Sequence, residues 1–350
     1  MRVLAALVVL GVGATYSGVF DPTAVPELFT QMLTGGVLFS FALSAYLYAS
    51  SFAGKKLLAA GGDTGNRLYD FFIGRELNPR CAFLALLGPS RCFTRICGWP
   101  HTHPCLSALP PKCSVGGVDL KEFCELTPGL IGWAFLNACF AYTQFTQLGH
   151  ITWAMGLVCA FQALYVFDAI ACEPAILTTM DITTEGFGFM LVFGDLVWVP
   201  FTYSLQTRYL LDHPVHLSWP AIAGIVALQT AGYLMFRGAN SQKDAFRRNP
   251  SAPEVAHLRS MATKRGTRLL ISGWWGVARH INYFGDWVMA WAWCLPCAFD
   301  SIIPYFYVIY FAALLWHRER RDEEACRAKY GADWEAYCAL VKWRIIPFVY

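Results

Sequence analysis

The chain has 350 residues, with 27 lysines and arginines against 24 aspartates and glutamates, a formal net charge of +3. Hydrophobic residues make up 56% and charged residues only 15%, and the mean hydropathy is +0.41. A soluble domain carries about 25% charged residues, so this composition excludes a disordered or fibrous chain and a water-soluble globule. The small net charge gives no footprint for nucleic acid.

The apolar residues lie in long uncharged runs. Residues 3–20, 28–54, 126–167 and 213–236 contain no Asp, Glu, Lys or Arg. The 126–167 run is long enough for two helices with a turn near Gly149-His150. Two shorter runs, 287–299 and 301–317, flank Asp300. A spanning helix needs about 20 apolar residues, and unpaired backbone cannot face lipid. The pattern predicts an all-α polytopic membrane helical bundle with about seven to nine transmembrane helices. The 13 Trp and 16 Tyr suit interfacial belts. The first run also reads as a signal peptide, with Arg2 ahead of it and small residues near Ala14. A retained span is preferred, because no extracellular-type domain follows.

Six of the 13 cysteines fall at 81, 92, 97, 105, 113 and 124. Together with His101 and His103 they raise a zinc or disulfide reading. The spacings Cys92-x4-Cys97 and Cys105-x7-Cys113 match no standard zinc site, so no metal is expected. The other cysteines sit in apolar runs as small hydrophobes.

Three segments are polar. Residues 55–126 have a Gly-rich start and a Pro/Cys-rich middle. Residues 237–268 carry eight basic residues against Asp244 and Glu254. The tail from Arg318 is nearly neutral and reads as an amphipathic helix ended or bent near Gly331. The basic loops point to the cytosolic side. The plain reading of 237–268 is a loop obeying that rule. The sharper one is a phosphate clamp, since Lys243 and Arg247 are i,i+4 on one helix face.

Charged groups inside membrane domains are costly and mark functional sites. Four clusters stand out: Tyr165, Asp168 and Glu173; Asp181, Glu185 and Asp195; Arg279-His280 with Asn282 to Asp286; and His317, Arg318, Glu319, Arg321 and Asp322. Each is singly explicable as an interfacial charge or cap. Together they predict a polar cavity holding a polar cofactor at one end, with an apolar substrate entering from lipid at the other.

Two long motifs and a third between them carry a resemblance. Gly65-Asn66-Arg67-Leu68-Tyr69-Asp70-Phe71-Phe72-Ile73-Gly74-Arg75-Glu76-Leu77-Asn78-Pro79-Arg80 resembles the first signature of the sterol reductases of the endoplasmic reticulum. Leu314-Leu315-Trp316-His317-Arg318-Glu319-Arg320-Arg321-Asp322, followed by Cys326 and Lys329-Tyr330-Gly331, resembles the second. Ser272-Gly273-Trp274-Trp275-Gly276 and Arg279-His280-Ile281-Asn282-Tyr283-Phe284-Gly285-Asp286 form the segment between. The stretches 177–183 and 186–195 look most like the Δ14 branch, which includes the reductase part of the lamin B receptor. The resemblance covers residues 1–80 and about 118–350.

The resemblance implies NADPH as cofactor and a sterol from the bilayer as substrate, with membrane lipids as further partners. Cofactor contacts would fall on Lys243 and Arg247 for the phosphates, and on Leu270, Trp275, Asn282, Arg318, Asp322 and Tyr330. Catalytic polar groups would be Tyr165, Asp322 and Tyr337, with the proton donor unassigned among them. The implied compartment is the endoplasmic reticulum membrane, with the nuclear envelope as its continuation. Four segments follow: 1–80 with the N-terminal helices and first motif, 81–117 an inserted Cys/Pro-rich stretch, 118–236 the central helices, and 237–350 the NADPH-binding half. Two departures accompany the resemblance. The chain looks short at its N-terminus against the family, and 81–117 adds roughly 30 residues, as a lineage-specific loop or retained intron sequence. Two other classes stay open on the residues. One is a membrane methyltransferase using S-adenosylmethionine, whose cofactor segment also reads Arg-His-x-x-Tyr. The other is a non-catalytic sterol-binding scaffold or inactive isoform.

Overall fold

The computed structural model describes residues 13–81 and 118–350. Most of the first apolar run and residues 82–117, with Cys92, Cys97, His101, His103, Cys105 and Cys113, lie outside the described residues. The chain divides into two compact units, the second beginning at Val215. The described elements are helices, with strands confined to two antiparallel pairs. Five helices among the described residues are long and apolar enough to cross a bilayer.

The first unit carries four of them: α1 (Phe29–Ser50), α3 (Leu120–Leu148), α4 (Trp153–Ala171) and α5 (Phe189–Asp212). A short helix, α2 (Arg67–Ile73), lies between α1 and α3. Side-chain caps set the starts. The Asn66 side chain accepts from the amides of Leu68 and Tyr69, Asp119 accepts from Lys121 and Glu122, and Thr152 accepts from Met155; each satisfies amides that a helix leaves unpaired. The 126–167 run breaks where the sequence predicts, at Gly149, which takes the left-handed conformation at φ +75°.

α3 and α5 each contain a π-helical stretch around a proline, Pro128 in Glu125–Ile131 and Pro200 in Gly194–Thr202. Proline cannot donate to the ladder, and the wider turn absorbs the lost bond. A buried polar network ties α3, α4 and α5. Trp133 Nε1 and Asn137 Nδ2 donate to Gln162 Oε1 at 3.0 and 2.6 Å. Gln162 Nε2 donates to the Tyr203 carbonyl at 3.0 Å, and Thr207 Oγ1 donates to Asn137 Oδ1 at 2.6 Å. Polar groups buried this deeply are tolerable because they are paired.

The first motif folds back on the 186–188 turn. Asp70 accepts from the Thr64 amide at 2.9 Å and the Thr64 hydroxyl at 2.7 Å, and the Phe187 amide donates to the Glu76 carbonyl at 3.0 Å. Gly74 has φ +96°, and a Cβ there would collide with the backbone of Phe187 and Gly188. Much of that motif therefore builds the fold. The motif ends in β1 (Arg80–Cys81), which pairs with β2 (Val118–Asp119), Arg80 opposite Asp119.

The second unit is built on α6 (Trp219–Arg248), α8 (Ile281–Cys294), α9 (Phe306–Tyr330) and α10 (Ala332–Leu340). A hairpin of β3 (Ser260–Ala262) and β4 (Arg268–Leu270) and the one-turn α7 (Trp274–Val277) join α6 to α8. At 30 residues α6 is about 45 Å long, beyond the roughly 30 Å hydrocarbon core, so its Lys243–Arg248 end extends out of the apolar layer. It crosses α8 closely: a Cβ on Gly232 would lie 2.9 Å from the Gly285 carbonyl. With 14 residues α8 is only about 21 Å long. α9 is apolar to Trp316, charged from Arg318, and ends at Gly331 (φ +56°), where the bend was expected.

Arg80 and Asp119 are register partners, so the intervening stretch leaves and re-enters the fold at neighbouring positions. Replacing residues 83–116 by a short Gly/Ser turn should leave the detergent-solubilised protein folded, its thermal midpoint within about 2 °C, because loop length costs little in closure entropy. Loss of folded protein would make the stretch an integral part of the fold.

Candidate functional site

The candidate site lies at the charged end of α6 and is assembled wholly from the second unit. Its floor is a hydrophobic cluster of Ala239, Phe246, Val255, Leu258, Leu270, Trp275, Ala278 and Ile281. Two of the sequence-selected residues, Leu270 on β4 and Trp275 on α7, belong to this floor. Trp275 is locked by its indole N–H, which donates to the Ala239 carbonyl at 2.8 Å. Its ring carries the third selected residue, for Lys243 Nζ stands 4.2 Å from the ring centroid. The quadrupole of an indole face attracts an ammonium. Arg247 follows one turn later on α6 and is exposed.

One turn before Lys243, Asn240 faces α8. Asn282 Nδ2 donates to Asn240 Oδ1 at 3.3 Å, while Asn282 Oδ1 is buried with no hydrogen-bond partner. From α9, Asp322 reaches the same place: Tyr283 donates its hydroxyl to Asp322 Oδ2 at 2.8 Å. His280 stacks on Tyr283 with ring centroids 4.9 Å apart, and its Nδ1 is 4.0 Å from Asp322 Oδ2. Its other nitrogen, Nε2, is buried without a partner. Burial, reinforced by the positive charges of Lys243, Arg279 and Arg344, holds the His280 pKa down to about 3. The imidazole is therefore neutral at physiological pH.

Arg318 lies one turn before Asp322 on α9 and within electrostatic range of Asp286 on α8. Cys326 lies one turn after Asp322; burial pushes its thiol up, Asp322 adding to the shift and Lys243 opposing it. Tyr330 and Tyr337 sit in a neighbouring cluster. Tyr337 is buried with Trp334 and Val341, packed by Met261, Leu269, Ile271, Cys326 and Tyr330. Rings of Tyr330 and Trp334 stack at 6.3 Å, and those of Trp334 and Tyr337 lie 5.0 Å apart. Tyr165 is on α4 of the first unit, its ring 6.0 Å from that of Trp133.

The second unit thus brings Lys243, Leu270, Trp275, Asn282, Arg318 and Asp322 to one end of the α6–α8 crossing. Sequence reading placed His280 and Tyr283 in a polar segment without giving them a role, and left out Asn240. Their signal was weak, because Tyr283 and Asp322 are 39 positions apart and meet only through the α8–α9 packing. No cluster of three potential metal ligands occurs among the described residues. The polar atoms fit a nucleotide cofactor: one cation over an aromatic ring, a second cation beyond it, and two buried ring or amide atoms with no internal partner.

Fold and site define a polytopic helical membrane protein with a cation-bearing polar site at the end of α6, the longest of the described helices. The chain belongs to the Ergosterol biosynthesis ERG4/ERG24 family, whose profile matches residues 1–88 and 107–350. The match breaks inside the Cys-rich stretch 81–117. The Delta(14)-sterol reductase of Schizosaccharomyces pombe is 53% identical over 323 residues, covering 92% of this chain and 68% of that protein. The Delta(14)-sterol reductase of Mus musculus is 49% identical over 328 residues, covering 93% of this chain and 70% of that protein. A third, from Ascobolus immersus, is 48% identical, covering 92% and 68%.

The neutral His280 yields a pH prediction. In the unfolded chain a histidine takes up its proton near pH 6.5, in the folded chain only near 3. The stabilisation is therefore complete above about 6.5 and is lost as pH falls below that value, by about 1.4 kcal/mol per pH unit. Thermal unfolding in detergent should show this loss between pH 7 and pH 5.5, and His280→Gln should flatten it. An unchanged pH slope in the variant would contradict the buried neutral imidazole.

Proposed function

We propose that this chain reduces the carbon 14–15 double bond of sterol intermediates with NADPH, in the membrane of the endoplasmic reticulum. One observation carries the reading: Lys243 over Trp275, the unpartnered Asn282 oxygen and the Tyr283–Asp322 pair converge at one end of α6. Relatives named Delta(14)-sterol reductase, 48–53% identical, support the reaction assigned to it. The segment 237–350 is then the cofactor half of the chain, with its basic loop 237–268 toward the cytosol.

A Δ14 bond is an unactivated alkene. A proton must reach carbon 15 first, leaving a tertiary cation at carbon 14. When bound, NADPH supplies the hydride that this cation takes up. Lys243 and Arg247 bind phosphate, Lys as a point charge and Arg through its planar fork. Asn282 Oδ1 accepts from a carboxamide and orients it. Arg318 balances negative charge from α9. The proton for carbon 15 is held between Tyr283 Oη and Asp322 Oδ2. His280, being neutral, orients Tyr283 by stacking and does not act as an acid. The apolar floor of Leu270 and Trp275 excludes water, which would otherwise quench the cation. The neighbouring cluster of Tyr330 and Tyr337 adds aromatic faces, and π-faces stabilise developing positive charge.

Two rival readings predict different ligands. A membrane methyltransferase would be protected by S-adenosylmethionine, and a scaffold by neither nucleotide. NADPH at about 100 times its dissociation constant should stabilise the purified protein by about 2.7 kcal/mol. Changing Lys243 and Arg247 to Ala should weaken NADPH binding by about tenfold or more per residue, since charge-assisted contacts are worth roughly 1.5–3 kcal/mol. Protection by S-adenosylmethionine, or parental NADPH affinity in the double variant, would overturn the assignment.

A further inference from the structure

α9 presents two adjacent stripes to the rest of the second unit. Arg318 and Asp322 are i,i+4 and point to the candidate site. Glu319 and Glu323, one position on, are also i,i+4 and point elsewhere. Glu319 is fully buried and Glu323 nearly so. Each finds an arginine from outside the helix. Arg344 Nη1 donates to Glu319 Oε1 and Oε2 at 3.1 and 3.3 Å, and the Tyr350 hydroxyl donates to Glu319 Oε2 at 3.2 Å. Arg279 Nη2 lies 3.8 Å from Glu323 Oε2.

The segment that supplies Arg344 also holds the start of α8. The Arg279 amide donates to the Trp343 carbonyl and the His280 amide to the Arg344 carbonyl, both at 2.8 Å. Arg279 Nη1 donates to the Val341 carbonyl at 3.4 Å. The segment is itself closed, since the amides of Arg344 and Ile345 donate to the Tyr350 carbonyl at 2.8 and 3.0 Å. Residues 341–350 therefore grip two elements at once: the backbone that leads directly into Asn282 and Tyr283, and the helix that carries Arg318 and Asp322.

We propose that the Glu319–Arg344–Tyr350 clamp is a positioning device for the cofactor site: it fixes the rotation of α9 about its axis and its register against the start of α8. The proposal rests on the cofactor reading above. The side chains of the three bond to one another, while the Arg344 carbonyl holds the His280 amide. A carboxylate buried this completely holds its helix strongly, because any rotation that removed it from Arg344 and Tyr350 would leave a charge without a partner in an apolar surrounding. Turning α9 would swing Arg318 and Asp322 away from Asn282 and Tyr283, and displacements of about 1 Å already cost on the order of a hundredfold where geometry matters.

The test is NADPH titration by fluorescence on the full chain purified in detergent, with hydrogen exchange of the α9 amides as second readout. Arg344→Gln should raise the NADPH dissociation constant by about fivefold or more and speed exchange around Arg318–Asp322, whereas Arg344→Lys, which keeps a cation for Glu319, should stay within about twofold. Arg208→Gln, which breaks an ion pair with Asp212 in the first unit, should leave NADPH affinity unchanged and serves as the control for general destabilisation. Should Arg344→Gln fail to fold, Tyr350→Phe takes its place, with about a two- to threefold weaker affinity expected. Lys243→Ala separates the two layers of the argument. If it weakens NADPH binding while folded Arg344→Gln or Tyr350→Phe binds like the parent, the clamp is refuted and the cofactor site stands. If Lys243→Ala also binds like the parent, both fall.

Discussion

The close crossing of α6 and α8 at Gly232 and Gly285 governs the second unit. With no side chain at either position, the two backbones approach to a distance that a single methyl group would block. Everything further along α6 on the same stripe inherits that approach. Ala239 comes within reach of the Trp275 indole, Asn240 of Asn282, and Lys243 of the Trp275 ring. Small residues at helix crossings are the usual route to tight packing in membranes, where the hydrophobic effect between helices is absent. Here the same device sets the polar geometry beyond the apolar layer. The site is a consequence of packing at the crossing, carried up the helix by its 3.6-residue repeat.

The first unit solves a different problem. Its helices bring Gln144, Gln162, Asn137, Thr207 and Lys121 into the interior, and each finds partners. Gln144 bridges the Leu210 carbonyl and Thr152, and Lys121 Nζ donates to the carbonyls of Ile182 and Glu185 at 3.1 and 2.7 Å. A polar group that misses its partner in such surroundings costs several kcal/mol, so these side chains select one arrangement of α3, α4 and α5 over its neighbours. The two proline-containing π-stretches face each other, with Gly129 letting the Asp195 backbone approach.

Much of this was legible in the sequence because bilayer physics leaves few options. The uncharged runs 28–54, 126–167 and 213–236 became helices, the 126–167 run broke at Gly149, and α9 ended at Gly331. Lys243 stood out by its i,i+4 spacing to Arg247 in a basic segment, and Trp275, Asn282 and Asp322 by the motifs that carry the family resemblance. Three features were not legible. The first motif looked like chemistry, yet Asp70, Gly74 and Glu76 are engaged in holding the fold. The triad of His280, Tyr283 and Asp322 joins two helices through packing that no local pattern encodes. Likewise Arg344 and Glu319 read as two more charges in a nearly neutral tail, and only the folded chain shows that one is fully buried against the other.

The central claim is that the convergence of α6, α8 and α9 supports Δ14-sterol reduction, with Asp322 at its chemical centre. The most direct measurement is the sterol profile, by mass spectrometry, of a cell that lacks its own Δ14-reducing activity and expresses this chain or its Asp322→Ala variant at equal level. The account predicts that the chain clears Δ14-unsaturated sterols and that the variant leaves them accumulated. Accumulation with the unaltered chain, or clearance by the Asp322→Ala variant, would contradict it.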